Sequence, residues 1–248
     1  MWTLLASVVL SQIAYPLTAG GLRAAVVTVT VVLGYLVSLV HAGMTRGRWA
    51  VLALLAVTVL GFVVEAVGVR TGFPFGHYGY STALSPLVGG VPLVVPLAWA
   101  WMAWPGWLVA GRLVAGRTAG NPVARIAVGS VALASWDLFL DPQMVAEGYW
   151  TWTDVGTALP GVPGVPVGNY LGWWGVAVVV MVILSLVPNG ARRPGPVDRP
   201  MYALYLWTYA SSVLAHAVFL GLPATAGWGA LGMGVVAIPL AVNLRRLG

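Results

Sequence analysis

The chain has 248 residues, 60% hydrophobic and 7% charged, with a mean hydropathy of +0.91, whereas a soluble domain carries about 25% charge. That composition excludes a soluble globular fold and reads as a polytopic membrane protein. All 12 basic residues are arginine, set against 6 acids for a net charge of +6; they cluster at the ends of apolar runs, which argues for membrane orientation and against nucleic-acid binding.

A membrane helix needs about 20 apolar residues, and eight stretches qualify, near 3–20, 24–42, 49–69, 91–111, 123–141, 168–188, 201–222 and 227–244. The first has no basic segment ahead of it, so it reads as a membrane helix and not as a cleaved signal peptide. The expected fold class is all-α: a polytopic transmembrane helical bundle of about eight spans, or seven, forming a single integral-membrane domain over 1–248. With both termini cytoplasmic, the inner side collects Arg46, Arg48, Arg112, Arg117, Arg125, Arg192, Arg193, Arg199, Arg245 and Arg246, and the outer side only Arg23 and Arg70. The expected location is therefore the cell membrane, multi-pass. The inner segment "NGARRPGPVDRP" is a basic turn that its prolines keep out of helix.

The same orientation gathers Glu65, Asp137, Asp141, Glu147 and Asp154 on the outer side, together with the two longest loops, 70–90 and 142–167. Long irregular loops are functional or disordered, and the Gly, Pro, Trp and Tyr content of these two points to loops folded onto the helix ends. Glu65 lies about a turn inside its helix. Asp137, in "ASWDLFLDPQM", is at a similar depth, with Asp141 one turn further out on the same face. A charge in a span costs on the order of 2.5–3.5 kcal/mol, so such residues face a bundle interior. Three acids at one level, with no lysine in the chain, suit a hydrogen-bonded group that holds a proton and acts as a general acid. Two blander readings stand beside this one: Asp141 before Pro142 could close a turn, and Arg70 could pair with Glu65.

Phe75, Tyr78, Tyr80, Trp99, Trp136, Trp150, Trp152 and Trp173 crowd the same level. Aromatic residues there form an interfacial belt or line a groove in which ring faces stabilise a carbocation by about 0.5–2 kcal/mol each. Asn169 could cap its helix or hold a water. His41, His77 and His216 show no metal-ligand spacing. "DLFLD" has the D-x-x-x-D spacing of diphosphate-binding sites but lacks a second such motif and basic phosphate ligands, so no metal is expected. With no cysteine there is no disulfide or thiolate. No nucleotide, flavin or haem motif is present, and no cofactor is expected.

The order E-x-x-G-V-x-T-G-x-P-F-G-x-Y-x-Y over 65–80, G-V-P and a Trp over 90–99, W-D-L-x-L-D-P-x-M over 136–144, W-x-W over 150–152 and N-x-L-G-W over 169–173 resembles the membrane carotenoid-biosynthesis family of CruF-type hydratases, which act in γ-carotene-type and bacterioruberin-type pathways. The resemblance covers a core of 65–174. It departs from the family pattern at "GVPGVPVGN" before Asn169 and at Ser85, differences that bear on the end group more than on the reaction. It implies hydration of an acyclic carotenoid end group to a tertiary alcohol by a hydro-lyase. Asp137 and then Glu65 are the expected proton donors, and Asp141 or Asn169 the expected holder of water. The implied partners are a lycopene-like polyene, water, the lipid bilayer and other enzymes of the same pathway, with no nucleic acid. The alternatives are an end-group cyclase or prenyl-transferring enzyme sharing the protonation step and, in a different class, a proton-coupled carrier, for which buried acids are equally natural.

Overall fold

The computed structural model describes residues 1–115, 121–187 and 195–246. Arg117, Arg192 and Arg193, and most of the basic turn before Asp198, lie outside the described residues. The helices are α1 (Trp2–Ala14), α2 (Gly20–Arg46), α3 (Arg48–Thr71), α4 (Val94–Val114), α5 (Pro122–Ala134), α6 (Asp137–Ala146), α7 (Val167–Ser185), α8 (Arg199–Leu214) and α9 (Pro223–Arg245). Each of the eight apolar stretches thus carries helix. Among the described residues six helices are long and apolar enough to cross a membrane, α5 and α6 counting together as Pro122–Ala146. The first helix, extended by a 3-10 turn to Leu17, is shorter, and α8 continues as a π-helical turn over Ala215–Phe219.

The fifth apolar stretch departs from the expected single helix ending at Asp141. Its ladder tightens at Trp136, whose amide bonds back to Leu133 O at 3.2 Å, a 3-10 spacing. Helix α6 then begins at Asp137 and runs through Pro142 to Ala146. Asp141 is therefore in mid-helix and closes no turn.

Helix α4 is the hub. It packs against α2, α3, α5, α7, α8 and α9, and 94% of its spanning stretch is buried, against 28% of α3. The distribution inverts that of a soluble protein: α4, which carries Trp99, Trp101, Trp104 and Trp107, is the least apolar of the six spans, and α3, facing outward, the most. Lipid tails give no reason to hide the greasiest helix, so packing and hydrogen bonding decide what goes inside. Two details fix α4. Gly34 on α2 leaves the space that the Trp101 indole fills, since a Cβ there would sit 1.8 Å from the ring. Pro105 has no N–H to give the carbonyl of Trp101 one turn back, and Ser38 Oγ on α2 donates to that carbonyl instead, at 2.9 Å.

The two long loops carry the strands β1 (Tyr78–Tyr80), β2 (Leu87–Val88), β3 (Val91–Pro92), β4 (Trp150–Trp152), β5 (Ala158–Leu159) and β6 (Val162–Pro166), which pair antiparallel as β1·β4, β2·β3 and β5·β6. The loops are folded, as their composition leads one to expect, but the pairing of one loop with the other through β1 and β4 is a feature that neither loop shows alone. At the opposite end of the bundle, Asp198 is clasped by Arg46 at 2.9 and 3.0 Å, and His41 receives Trp104 Nε1–H at 3.0 Å on one ring nitrogen while the other faces Val197 O at 3.0 Å.

Candidate active site

Glu65, on the last turns of α3, is almost completely buried and accepts hydrogen bonds at Oε2 from the hydroxyls of Tyr78 (2.5 Å) and Tyr80 (2.7 Å). Alternation along β1 turns these two tyrosines to one face. Burial first, and then the charge of Glu65, pushes both phenols above their ordinary range, so they stay protonated as donors. Gly68, one turn beyond Glu65, makes the approach feasible, because a Cβ at that position would stand 2.6 Å from the Tyr78 hydroxyl. Helix α3 ends on Gly72 in the left-handed conformation (φ 76°), the common glycine C-cap.

Asp137 and Asp141, one turn apart on α6, are both buried and interact directly. Asn169, in the first turn of α7, donates its Nδ2–H to Asp137 Oδ2 at 3.3 Å and also to Asp141 Oδ2. Trp150 Nε1–H reaches Asp141 Oδ1 at 3.1 Å. Two acceptors in this group meet no donor, Asp137 Oδ1 and Asn169 Oδ1. The cap of α7 is Pro166, so Asn169 is not a capping residue.

The register of β1 on β4, Tyr78 opposite Trp152 and Tyr80 opposite Trp150, joins the two carboxyl centres. Tyr80, which holds Glu65, meets Trp150, which holds Asp141, edge to face at 5.4 Å. Trp152 ties the pair to the preceding loop by donating to Phe75 O at 2.9 Å. Below this cover lies a cavity of about 40 Å³ bounded by the three acids, Asn169, Tyr78, Tyr80, Trp99, Trp150, Trp152 and Trp173, with Val27 and Val31 of α2 on the far side. Trp99 stacks on Trp173 at 3.6 Å, and Trp173 on Phe75 at 4.4 Å.

The three predicted carboxyls thus converge, and so do Asn169 and six of the eight predicted aromatic residues. Phe75 stands behind the wall, supporting Trp173, and Trp136 faces a neighbouring cavity. Arg70 does not pair with Glu65: no ion pair joins them, whereas Arg23 pairs with Glu147 and Arg46 with Asp198. The two tyrosines occupy the oxygen that an arginine would have taken. Sequence reading missed Val27, Val31, Leu140 and Met144 as wall residues, since nothing distinguishes a valine facing a cavity from one facing lipid. It also missed Gly68, whose i+3 spacing from Glu65 is the signal that could have found it.

A family model described as "Carotenoid biosynthesis protein" matches residues 25–241. The chain is 32% identical over 192 residues to the bisanhydrobacterioruberin hydratase of Haloarcula japonica, a match that takes in 74% of this chain and 64% of that protein's length. No solved structure matches the chain. The family match spans every helix that contributes a side chain to the acid cluster, and the chain belongs to the carotenoid biosynthesis protein family.

Proposed function

We propose that this protein adds water to the terminal double bond of an acyclic carotenoid end group, giving a tertiary alcohol, with its own carboxyl groups as the only proton carriers. The observation that carries the reading is the cluster of three buried acids beneath an aromatic cover, with no cationic side chain beside them among the described residues. Like charges this close do not all ionise together, so the group retains a proton. Asp137 is the donor: its Oδ1 has no hydrogen-bond partner in the protein, so a proton on that oxygen is held by no acceptor and is free to pass to a substrate in the cavity. Glu65 accepts from two phenols at Oε2, hydrogen bonds that favour its carboxylate form and suit it to stabilising positive charge rather than giving a proton. Among the acids this reading keeps Asp137 first and moves Glu65 to an electrostatic role.

In the first step the O–H bond of Asp137 breaks and the π electrons of the terminal bond take the proton at the less substituted carbon, leaving a tertiary cation. The ring faces of Trp99 and Trp152 and the Glu65 carboxylate stabilise it. A water held by Asn169 Oδ1 forms the new C–O bond. Its surplus proton passes to the Asp137–Asp141 pair, which restores the starting state. The substrate class and the reaction agree with the family and with the name of the Haloarcula japonica relative.

The same proposal covers topology. Eight crossings, with α1 and α8 completed by their 3-10 and π turns, put both ends in the cytoplasm. Arg46, Arg48, Arg112, Arg199 and Arg245 then lie at the inner end, and Arg23 and Arg70 at the outer end beside the acids. A polyene reaches the acids from the lipid.

Expression in a lycopene-producing host, with pigments analysed by mass and grown in heavy water, tests the reading. The expected product gains one water per modified end and carries deuterium at the protonated carbon. Asp137→Asn should lower its yield by about 10²–10⁴-fold, the usual contribution of a general acid. A product of unchanged mass would mean ring closure, and unchanged pigments would remove the hydratase reading for these substrates.

A further inference from the structure

Behind the wall of the acid pocket lies a second cavity, of about 90 Å³, between α1, α2, α6 and α8. Among its otherwise apolar lining stand five polar side chains, Gln12, Thr30, Gln143, Thr208 and Ser212. Three of these present buried atoms without a hydrogen-bond partner, Gln12 Oε1, Thr30 Oγ1 and Thr208 Oγ1. Leaving a buried polar atom unsatisfied costs about 1–3 kcal/mol, and buried waters are the usual remedy where a cavity is polar and large enough. At roughly 30 Å³ per molecule this one holds about three. The end nearest the loops is closed by Tyr15, with the Arg23 guanidinium 5.3 Å above its ring and itself paired with Glu147.

The two cavities share a partition of Val27 and Val31 from α2 and Leu140 and Met144 from α6. On the acid side of that partition stand the unpartnered Asp137 Oδ1 and Asn169 Oδ1. A carotenoid end group that fills the acid pocket blocks any water from following it through the same entrance, and an apolar partition keeps bulk water off the cation. We propose that the second cavity is a water store, which delivers the nucleophile of the hydration through the Val27, Val31, Leu140 and Met144 partition. The inference rests on the hydratase reading for its role in turnover, but the presence of water in the cavity does not.

The test uses the full chain and the variants Thr30→Val, Thr208→Val and the two combined, which remove hydroxyls at nearly constant volume. In heavy water, the wild type should convert most protonated substrate to alcohol. The combined variant should instead return it, so that the ratio of deuterium in recovered alkene to alcohol formed rises at least tenfold; an unchanged ratio overturns the proposal. Hydroxyl-radical footprinting gives a readout independent of turnover. Water held in the wild-type cavity should label Tyr15 and Met144 despite their burial, and the labelling should fall in the variants. Unlabelled Tyr15 and Met144 in the wild type would overturn the store even if hydration occurs, whereas a labelled cavity in a protein that forms no alcohol would reject the hydratase reading alone.

Discussion

Gly68 shows how much of the site depends on what is missing from one position. The Tyr78 hydroxyl passes through the space where its side chain would be, and the Phe75 ring stands 2.9 Å from the same point. Adding one methyl therefore pushes the β1 strand off Glu65 without touching an acid. Gly68→Ala is expected to lower product yield about 10–100-fold, in line with the effect of small misplacements at catalytic centres. If displacement of Tyr78 is the cause, Gly68→Ala combined with Tyr78→Phe should be little worse than Tyr78→Phe alone, because the two changes act on one contact. Additive losses in a pigment assay would show that Gly68 acts elsewhere.

At the scale of elements, α4 and the β1·β4 pair do complementary work. The pair brings strands from two distant loops together over the acids, and its register decides which tyrosine meets which tryptophan. Helix α4 supplies the rigid floor, and its own weak point is the carbonyl that Pro105 leaves without an amide donor. Ser38→Ala removes the substitute donor from α2 and leaves Trp101 O buried and unpaired, at a cost of about 1–3 kcal/mol. The expected result is a lower unfolding temperature in detergent with the same product ratio at low temperature. A variant as stable as the wild type would mean that water or a shifted helix satisfies the carbonyl.

The whole molecule is fastened at the end away from the acids. Arg46 on α2 and Asp198 before α8 form a buried pair, and His41 and Trp104 connect it to α4. Breaking a buried pair on one side strands a charge, at about 3–5 kcal/mol, whereas replacing both partners by apolar groups is often neutral. Arg46→Met should thus destabilise the protein markedly, and Arg46→Met with Asp198→Leu should recover most of the loss, as measured by thermal unfolding in detergent. Equal losses in the two variants would show that the pair does more than neutralise itself, for instance by ordering the segment before α8.

The sequence by itself determined the membrane class, the positions of the apolar helices and the convergence of Glu65, Asp137 and Asp141. Hydropathy is a local property, and a carboxyl inside a span is too costly to place at random. It also determined the family, because the motif blocks over 65–174 are read directly as residues. Only the tertiary structure decided what surrounds the acids: that Tyr78 and Tyr80, and not Arg70, hold Glu65, that Asn169 bridges the aspartates, and that Asp141 sits within a helix. These are contacts between segments far apart in the chain, set by strand register and by which faces of α3, α6 and α7 turn inward. In a bundle whose outside is as apolar as its inside, no alternation of polar and apolar residues reports which face that will be.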